Sequence, residues 1–446
     1  MIENLEKLNS FNPEERKTAL LELSASKNEK TETENVNMHF HSFFSYNAED
    51  WSPSRIAWES KQAGLYAAGL CDFDVLDGLE EFLDAGKILG LRSTVNLETR
   101  AFLNEYSNVD INSPGEHGVT YIMGAGFTKI PKSGTKQAEG LAGYRQRAKE
   151  RNIALIKRVN AKLSEIAINY DNDVLPLTPS GAATERHIVI AYIKKAENNF
   201  ADKNDLLNFW SNVFGETKEK TLEIVNDLPL MENVVRAKLA KRGGIGYVQP
   251  SVDTFPSVDE FIDWVASCGA VPMITWLDGT NDGEADAKAL LTCLKDKGAT
   301  ALNIVPDRNW NFADAETQAL KVAKLSEMVE SADSMGLPIN IGTEMNKAGQ
   351  PFADDLNGKI LSKYKNIFLK GARIMVGHSI LAKYADFSYC GEKAKEKFSD
   401  IFEMNAFFEK VGTMPPITLE FAEQLCKMEP KNAFEEIIKK YKYTVV

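Results

Sequence analysis

The stretch VNMHFHSFF, residues 36–44, sets two of the chain's five histidines one residue apart. Five histidines in 446 residues would give only about 0.05 H-x-H pairs by chance over the whole length. The run around it, NVNMHFH, reads as a β-strand, and residues two apart in a strand point to one face. His39 and His41 therefore project together. Two readings compete. A pair of core histidines would need several hydrogen-bond partners, and the rings would repel if both were charged. A metal ion removes both difficulties, because imidazole ligates in its neutral form.

Outward from this strand, short β-rich runs alternate with helical patterns, which predicts an α/β fold. The expected strands are NVNMHFH, YAAGLCDFD, RSTVNLE, VTYIMGAGF, AVPMITWL, TALNIVP and LPINIGTE. Amphipathic helices lie between them, such as SPSRIAWESKQAG, where Ser52 can cap and Pro53 suits the first turn. Several strands end in polar residues that open a loop, as in barrels whose sites lie at the C-terminal ends of the strands. Residues 1–34 read as a polar N-terminal arm with a charged linker, SKNEKTETEN, and 35–130 as the first part of the barrel. Residues 131–240 read as a helical insertion and 241–390 as the second barrel part. Residues 391–446 read as a helical C-terminal extension. After about residue 351 the chain is mostly helical, with GARIMVGHSI as the one candidate exception.

The net charge of −12 argues against broad electrostatic capture of nucleic acid or anionic membrane, while leaving room for a local basic pocket. No apolar run approaches the ~18 residues of a membrane helix. The opening MIENLEKLNS has acids where a secretion signal is basic and then apolar. Five scattered cysteines without a C-x-x-C pair fit reduced thiols. Together these predict a cytoplasmic protein with neither nucleic acid nor membrane as a partner.

From His39 to Phe102 the chain carries H-x-H, a serine-rich loop, an SP helix start, CDFD at a strand end and STVNLE. In order and spacing this resembles the opening of the PHP (polymerase and histidinol phosphatase) superfamily. The pattern there is H-x-H, S-D-G, SP, D-H-D-x-x-D-G and G-x-E. Further on, TERHIVIAYI is similar to the R-P-H-I-A segment of the nucleotide-phosphatase-like branch. GAVPMITWLDG falls where that branch has its H-P strand, and GLPINIGTEMNKAGQPF where it has G-S-D-x-H. The resemblance spans roughly residues 35–350 and implies a distorted TIM-like (β/α)7 barrel. It also implies a metal cluster of up to three ions for phosphoester hydrolysis.

Carried over position by position, the resemblance puts His39, His41, Glu98 and Glu344 on one divalent metal, with Zn, Mn and Fe all suited to mixed imidazole and carboxylate ligands. It matches His187 to the R-P-H histidine, with Arg186 before it. Elsewhere the ligands are gone. Tyr46 stands for the S-D-G acid, Phe73 for the histidine of D-H-D, and Tyr121 for a strand-end histidine, with His117 nearby. Trp276 replaces the histidine of H-P, and Asn346 that of D-x-H. One metal per chain is therefore expected. The positive charge of the missing ions must come from side chains such as Arg186, Lys347, Arg308 in VPDRNWN, or Arg373. Asp74 reads as a group bracing the loop, while Asp72 reads equally as a ligand or as such a brace. His378 reads as a core or helix-start histidine. The rings of Phe73, Tyr121 and Trp276 should form an aromatic wall beside His39 and His41, with Asn346 and Lys347 in the same pocket.

Two functions follow. One is a metal-dependent phosphoesterase-like hydrolase acting on a small phosphorylated or otherwise anionic substrate, with His187, Arg186 and Arg308 in the chemistry. The alternative is a catalytically weakened barrel kept as a ligand-binding or regulatory module. A lysine-based lyase barrel is a distant third, since no lysine stands evidently at a strand end.

Overall fold

The computed structural model describes residues 2–25 and 30–443. Residues 26–29 of the expected linker lie outside the described residues. Seven strands form one sheet in sequential order: β1 (Val36–Phe40), β2 (Ala67–Phe73), β3 (Arg92–Phe102), β4 (Val119–Ala125), β5 (Val271–Trp276), β6 (Ala301–Ile304) and β7 (Ile339–Ile341). Helices surround the sheet and a helical region follows it. This is the α/β fold expected from the alternation, in the distorted TIM-like barrel form that the resemblance implied. All seven expected strands are present. Among the described residues no helix is long and apolar enough to cross a membrane.

The barrel closes between β7 and β1 without a full ladder. His41 N–H donates to the Glu344 carbonyl (2.9 Å) and Glu344 N–H to the His39 carbonyl (2.8 Å). Below them the Asn37 amide bridges the gap, donating to Thr343 Oγ1 and the Phe352 carbonyl, both at 2.8 Å, and accepting from His39 N–H. The seam requires Gly342. A Cβ there would sit 2.6 Å from both Asn37 Oδ1 and the His39 nitrogen. The strand that carries the two histidines is thus pressed against its neighbour by the absence of a side chain.

The distortion lies in β4, which runs antiparallel to both β3 and β5 while every other pair is parallel. β4 therefore ends at the bottom of the barrel. From there the helix Lys136–Asn160, about 38 Å long at 1.5 Å per residue, carries the chain back toward the mouth. The helices that follow, Glu185–Asn199, Lys203–Phe214, Lys218–Val225 and Leu228–Leu239, close around their own apolar core. Tyr192, Trp210 and Phe214 lie at its centre, separate from the main core of the barrel.

GARIMVGHSI is helical, inside Lys365–Ala385. The β-rich composition of that run is overridden by close packing. A Cβ at Gly371 would collide with the Ile339 backbone, and one at Gly377 with the Phe408 carbonyl. These glycines let the helix lie directly on β7 and on the helix Ile401–Gly412.

Candidate metal centre

His39 on β1, His41 just beyond it and Glu98 on β3 converge inside the barrel mouth, all at most 2% exposed. His39 Nε2 lies 3.3 Å from His41 Nε2. Glu98 Oε2 lies 3.6 Å from the first nitrogen and 3.5 Å from the second. Among the described residues these three form the group able to hold a metal ion. A tetrahedral ion with ligands at about 2.0–2.1 Å requires ligand–ligand edges of about 3.3–3.4 Å. The triangle fits such an ion.

The contacts behind His41 support the same reading. Ser45 Oγ lies 3.2 Å from His41 Nδ1 and donates to Asp72 Oδ1 at 2.6 Å. With its proton committed to Asp72, Ser45 accepts from His41 Nδ1–H, which leaves the Nε2 lone pair free for a ligand role. Asp72 also accepts from Ser42 N–H and Ser42 Oγ, both at 2.7 Å. Through these bonds it braces the loop after the first strand. His39 Nδ1 faces the Asn303 amide at 3.1 Å. Asp74 holds a left-handed φ of 58°, with its carboxylate on Thr99 Oγ1 (2.6 Å) and Arg151 (3.5 Å).

The electrostatics call for a cation. Burial works to raise the Glu98 carboxyl, but the two imidazoles overcome it and hold the pKa well below the usual carboxylate range. Burial works against charging His39, and Glu98 overcomes that and raises its pKa.

Glu344 differs from its expected ligand role. Its backbone is tied to His39 and His41, but Glu344 and Met345 both take left-handed φ values of 65° and 54°. The carboxylate points to Arg308, accepting from Nη2 at 2.6 Å. His187 also differs from its expected place in the chemistry. It is the third residue of its helix, and Nδ1 accepts from Thr184 N–H at 3.1 Å as part of the helix cap. Burial lowers its pKa to about 4, so the ring is a neutral structural acceptor behind Tyr46. Arg373 pairs loosely with Glu409 (3.6 Å) and lies over Tyr66, and it does not line the cavity. His117 pairs with Asp110 at 2.7 Å on the surface. His378 is a satisfied core histidine, between the Gly126 carbonyl and Tyr389 N–H.

A cavity of about 1230 Å³ opens between the strand ends and the helical insertion. Phe73, Tyr121, Trp276, Asn346, Lys347, Arg186 and Arg308 all line it. Phe73 stacks on His41, centroids 4.8 Å apart and planes 12° apart, and meets Tyr121 at 6.0 Å. Tyr121 comes near the start of β4, and reaches the mouth only because that strand runs downward. Tyr46 donates to Glu232 of the insertion at 3.0 Å, with Arg186 over its ring.

The lining holds eleven basic side chains against six acidic ones, inside a chain of net charge −12. Arg100, Arg151, Arg236 and Lys241 were not singled out in the sequence, although Arg236 and Lys241 clasp Glu185 in the cavity lining at 2.5 and 3.0 Å. A signal existed. The helix Lys136–Asn160 carries seven basic residues and two acidic ones, and Arg145, Lys149, Arg151 and Arg158 of it face the cavity.

No family model matches the chain, and no curated protein matches it. Among solved structures it is similar to an amidohydrolase from Chromobacterium violaceum, solved with bound sulfate and no metal. That match has 16% identity and a TM-score of 0.49, over 74% of this chain and 96% of that one. It is also similar to a protein from Bifidobacterium adolescentis provisionally named a metal-dependent phosphoesterase, at 16% identity and a TM-score of 0.46. Here 75% of this chain and 98% of that one are covered. At such scores neither likeness bears on the chemistry.

Proposed function

We propose that the protein is a metal-dependent hydrolase of PHP type, a phosphoesterase acting on a small phosphorylated or otherwise anionic substrate. One observation carries this. His39, His41 and Glu98 form a donor triangle with edges of 3.3–3.6 Å, buried and backed by a relay that fixes the tautomer of His41. A divalent ion held there supplies Lewis-acid charge and lowers the pKa of water. The chain supplies the rest. Arg308, Arg186 and Lys347 draw an anionic group toward the triad and offset charge that develops on its oxygens. Phe73, Tyr121 and Trp276 shield one side from water and suit a flat or apolar portion of the substrate. Trp276 Nε1 is buried with no hydrogen-bond partner among the described residues.

A binding role without turnover has one observation in its favour: His187, the natural proton carrier, is engaged in capping a helix. A single experiment separates the two. Protein purified without a tag or chelator is assayed for metal content and for phosphoester hydrolysis, alongside His39→Ala. The hydrolase reading expects metal in the native chain and none in the variant, and turnover that stops with chelator and returns with divalent metal. Turnover indifferent to chelator would sink it. Bound metal with no turnover on any phosphoester would favour the binding role.

A further inference from the structure

The two histidines of the triad are held in different ways. His41 Nδ1 meets the Ser45 hydroxyl, whose own proton goes to Asp72, so that nitrogen can only donate. His39 Nδ1 meets a carboxamide instead, 3.1 Å from Asn303 Nδ2. A carboxamide has donors at one end and an acceptor at the other, so it can satisfy either tautomer of the ring.

Asn303 lies on β6, fully buried, in register with Thr275 on β5 and Asn340 on β7. Residues aligned across parallel strands point to one face, and the contact with His39 puts that face inside the barrel. In this row Asn303 Oδ1, Thr275 Oγ1 and both polar atoms of the Asn340 amide are buried without a hydrogen-bond partner among the described residues. Buried polar atoms are nearly always paired, so this row has hydrogen bonds still to make. With Nδ2 toward His39, the ring nitrogen Nδ1 must accept. Nε2 then carries the proton and cannot ligate a metal. With the amide reversed, the unpaired Oδ1 gains a donor in Nδ1–H, and Nε2 keeps a lone pair for a ligand role. Nδ2 then takes the place of the unpaired oxygen, in a row that contains acceptors of its own.

We infer that Asn303 is the positioning residue of His39, and that the orientation of its carboxamide decides whether the triad can take an ion. This rests on the metal reading of the triad. His41 is committed by Ser45 and Asp72, whereas a half-turn of one amide opens or closes His39. An aspartate at 303 offers only acceptors and holds His39 in the ligating tautomer. A leucine, of similar size, offers neither a donor nor an acceptor.

The test uses Zn²⁺ alone as the probe. Untagged wild type, Asn303→Asp and Asn303→Leu compete for zinc against a coloured chelator, and urea unfolding measures the stability of the metal-free proteins. Asn303→Leu should bind zinc about 10–100-fold more weakly. Asn303→Asp should bind it at least as tightly as wild type, although a buried carboxylate makes the metal-free chain less stable. A residue that served only the packing of β6 would instead make affinity follow stability in both variants. Nitrogen NMR of wild type needs no variant to fold: the two histidines that respond to zinc should both be protonated at Nδ1 and metal-bound at Nε2. Wild-type affinity in Asn303→Leu, an Asn303→Asp as weak as Asn303→Leu, or a zinc-bound histidine without a proton on Nδ1 overturns the proposal and leaves the metal reading intact. No zinc in wild type overturns the metal reading itself, and this role with it.

Discussion

Replacing Ser45 with alanine should weaken metal binding without touching a ligand. The Ser45 hydroxyl accepts from His41 Nδ1–H and donates to Asp72, in a place where His41 is fully buried. Removing it leaves the imidazole N–H without a partner, at a cost of about 1–3 kcal/mol in stability. The ring is then free to rotate or change tautomer. Loss of such a supporting partner typically reduces metal affinity about 10–100-fold, or about 1.4–2.7 kcal/mol. Ser42→Ala removes a different bond to Asp72, at 2.7 Å, and leaves the link to His41 in place. Its effect on metal affinity should stay within about threefold, with a stability loss of about 1 kcal/mol. Competition against a coloured chelator measures the affinity, and urea unfolding of the metal-free proteins measures the stability. Equal metal affinity in Ser45→Ala and wild type would refute the idea that this relay orients His41. A larger affinity loss in Ser42→Ala than in Ser45→Ala would show that Asp72 acts through the backbone of the loop instead.

Two further outcomes follow from burial and packing. His378 and His187 are each held at about pKa 4 by burial, below the unfolded value of about 6.5. Between these values the unfolded chain binds protons that the native chain does not, so stability falls as pH drops from about 6.5 to 4, by up to about 3 kcal/mol for each histidine. Urea unfolding at several pH values should show this slope, and His378→Gln should flatten part of it; a wild-type curve level from pH 7 to 4.5 would count against the assignment. Gly342→Ala should force β7 away from His39, costing about 1–3 kcal/mol from overpacking and weakening metal binding with it. If that variant is as stable as wild type and binds metal normally, the close approach at Gly342 does not hold the seam.

Strand periodicity was legible residue by residue, because a half-buried strand must alternate and a buried parallel one must be apolar. All seven strands and the shared face of His39 and His41 follow from that local rule. The direction of β4 does not. VTYIMGAGF has the same pattern whether it runs up or down, and only its pairing with β3 and β5 decides that Tyr121 reaches the mouth from the start of its strand. GARIMVGHSI has glycines and β-branched residues that disfavour a helix locally, and it became helical where those glycines meet neighbouring backbone. The donor types of the site were likewise written in the chain, since only histidine and acidic side chains can ligate there. What each donor faces was not. His187 became a helix cap and Glu344 the partner of Arg308, because a polar group takes whichever partner the fold brings within hydrogen-bond distance. The same holds for charge. The sequence by itself determined a net charge of −12, a sum over all side chains that carries no direction. Only the tertiary structure could turn eleven basic groups toward one cavity, because the field at a site depends on distances that no sum contains.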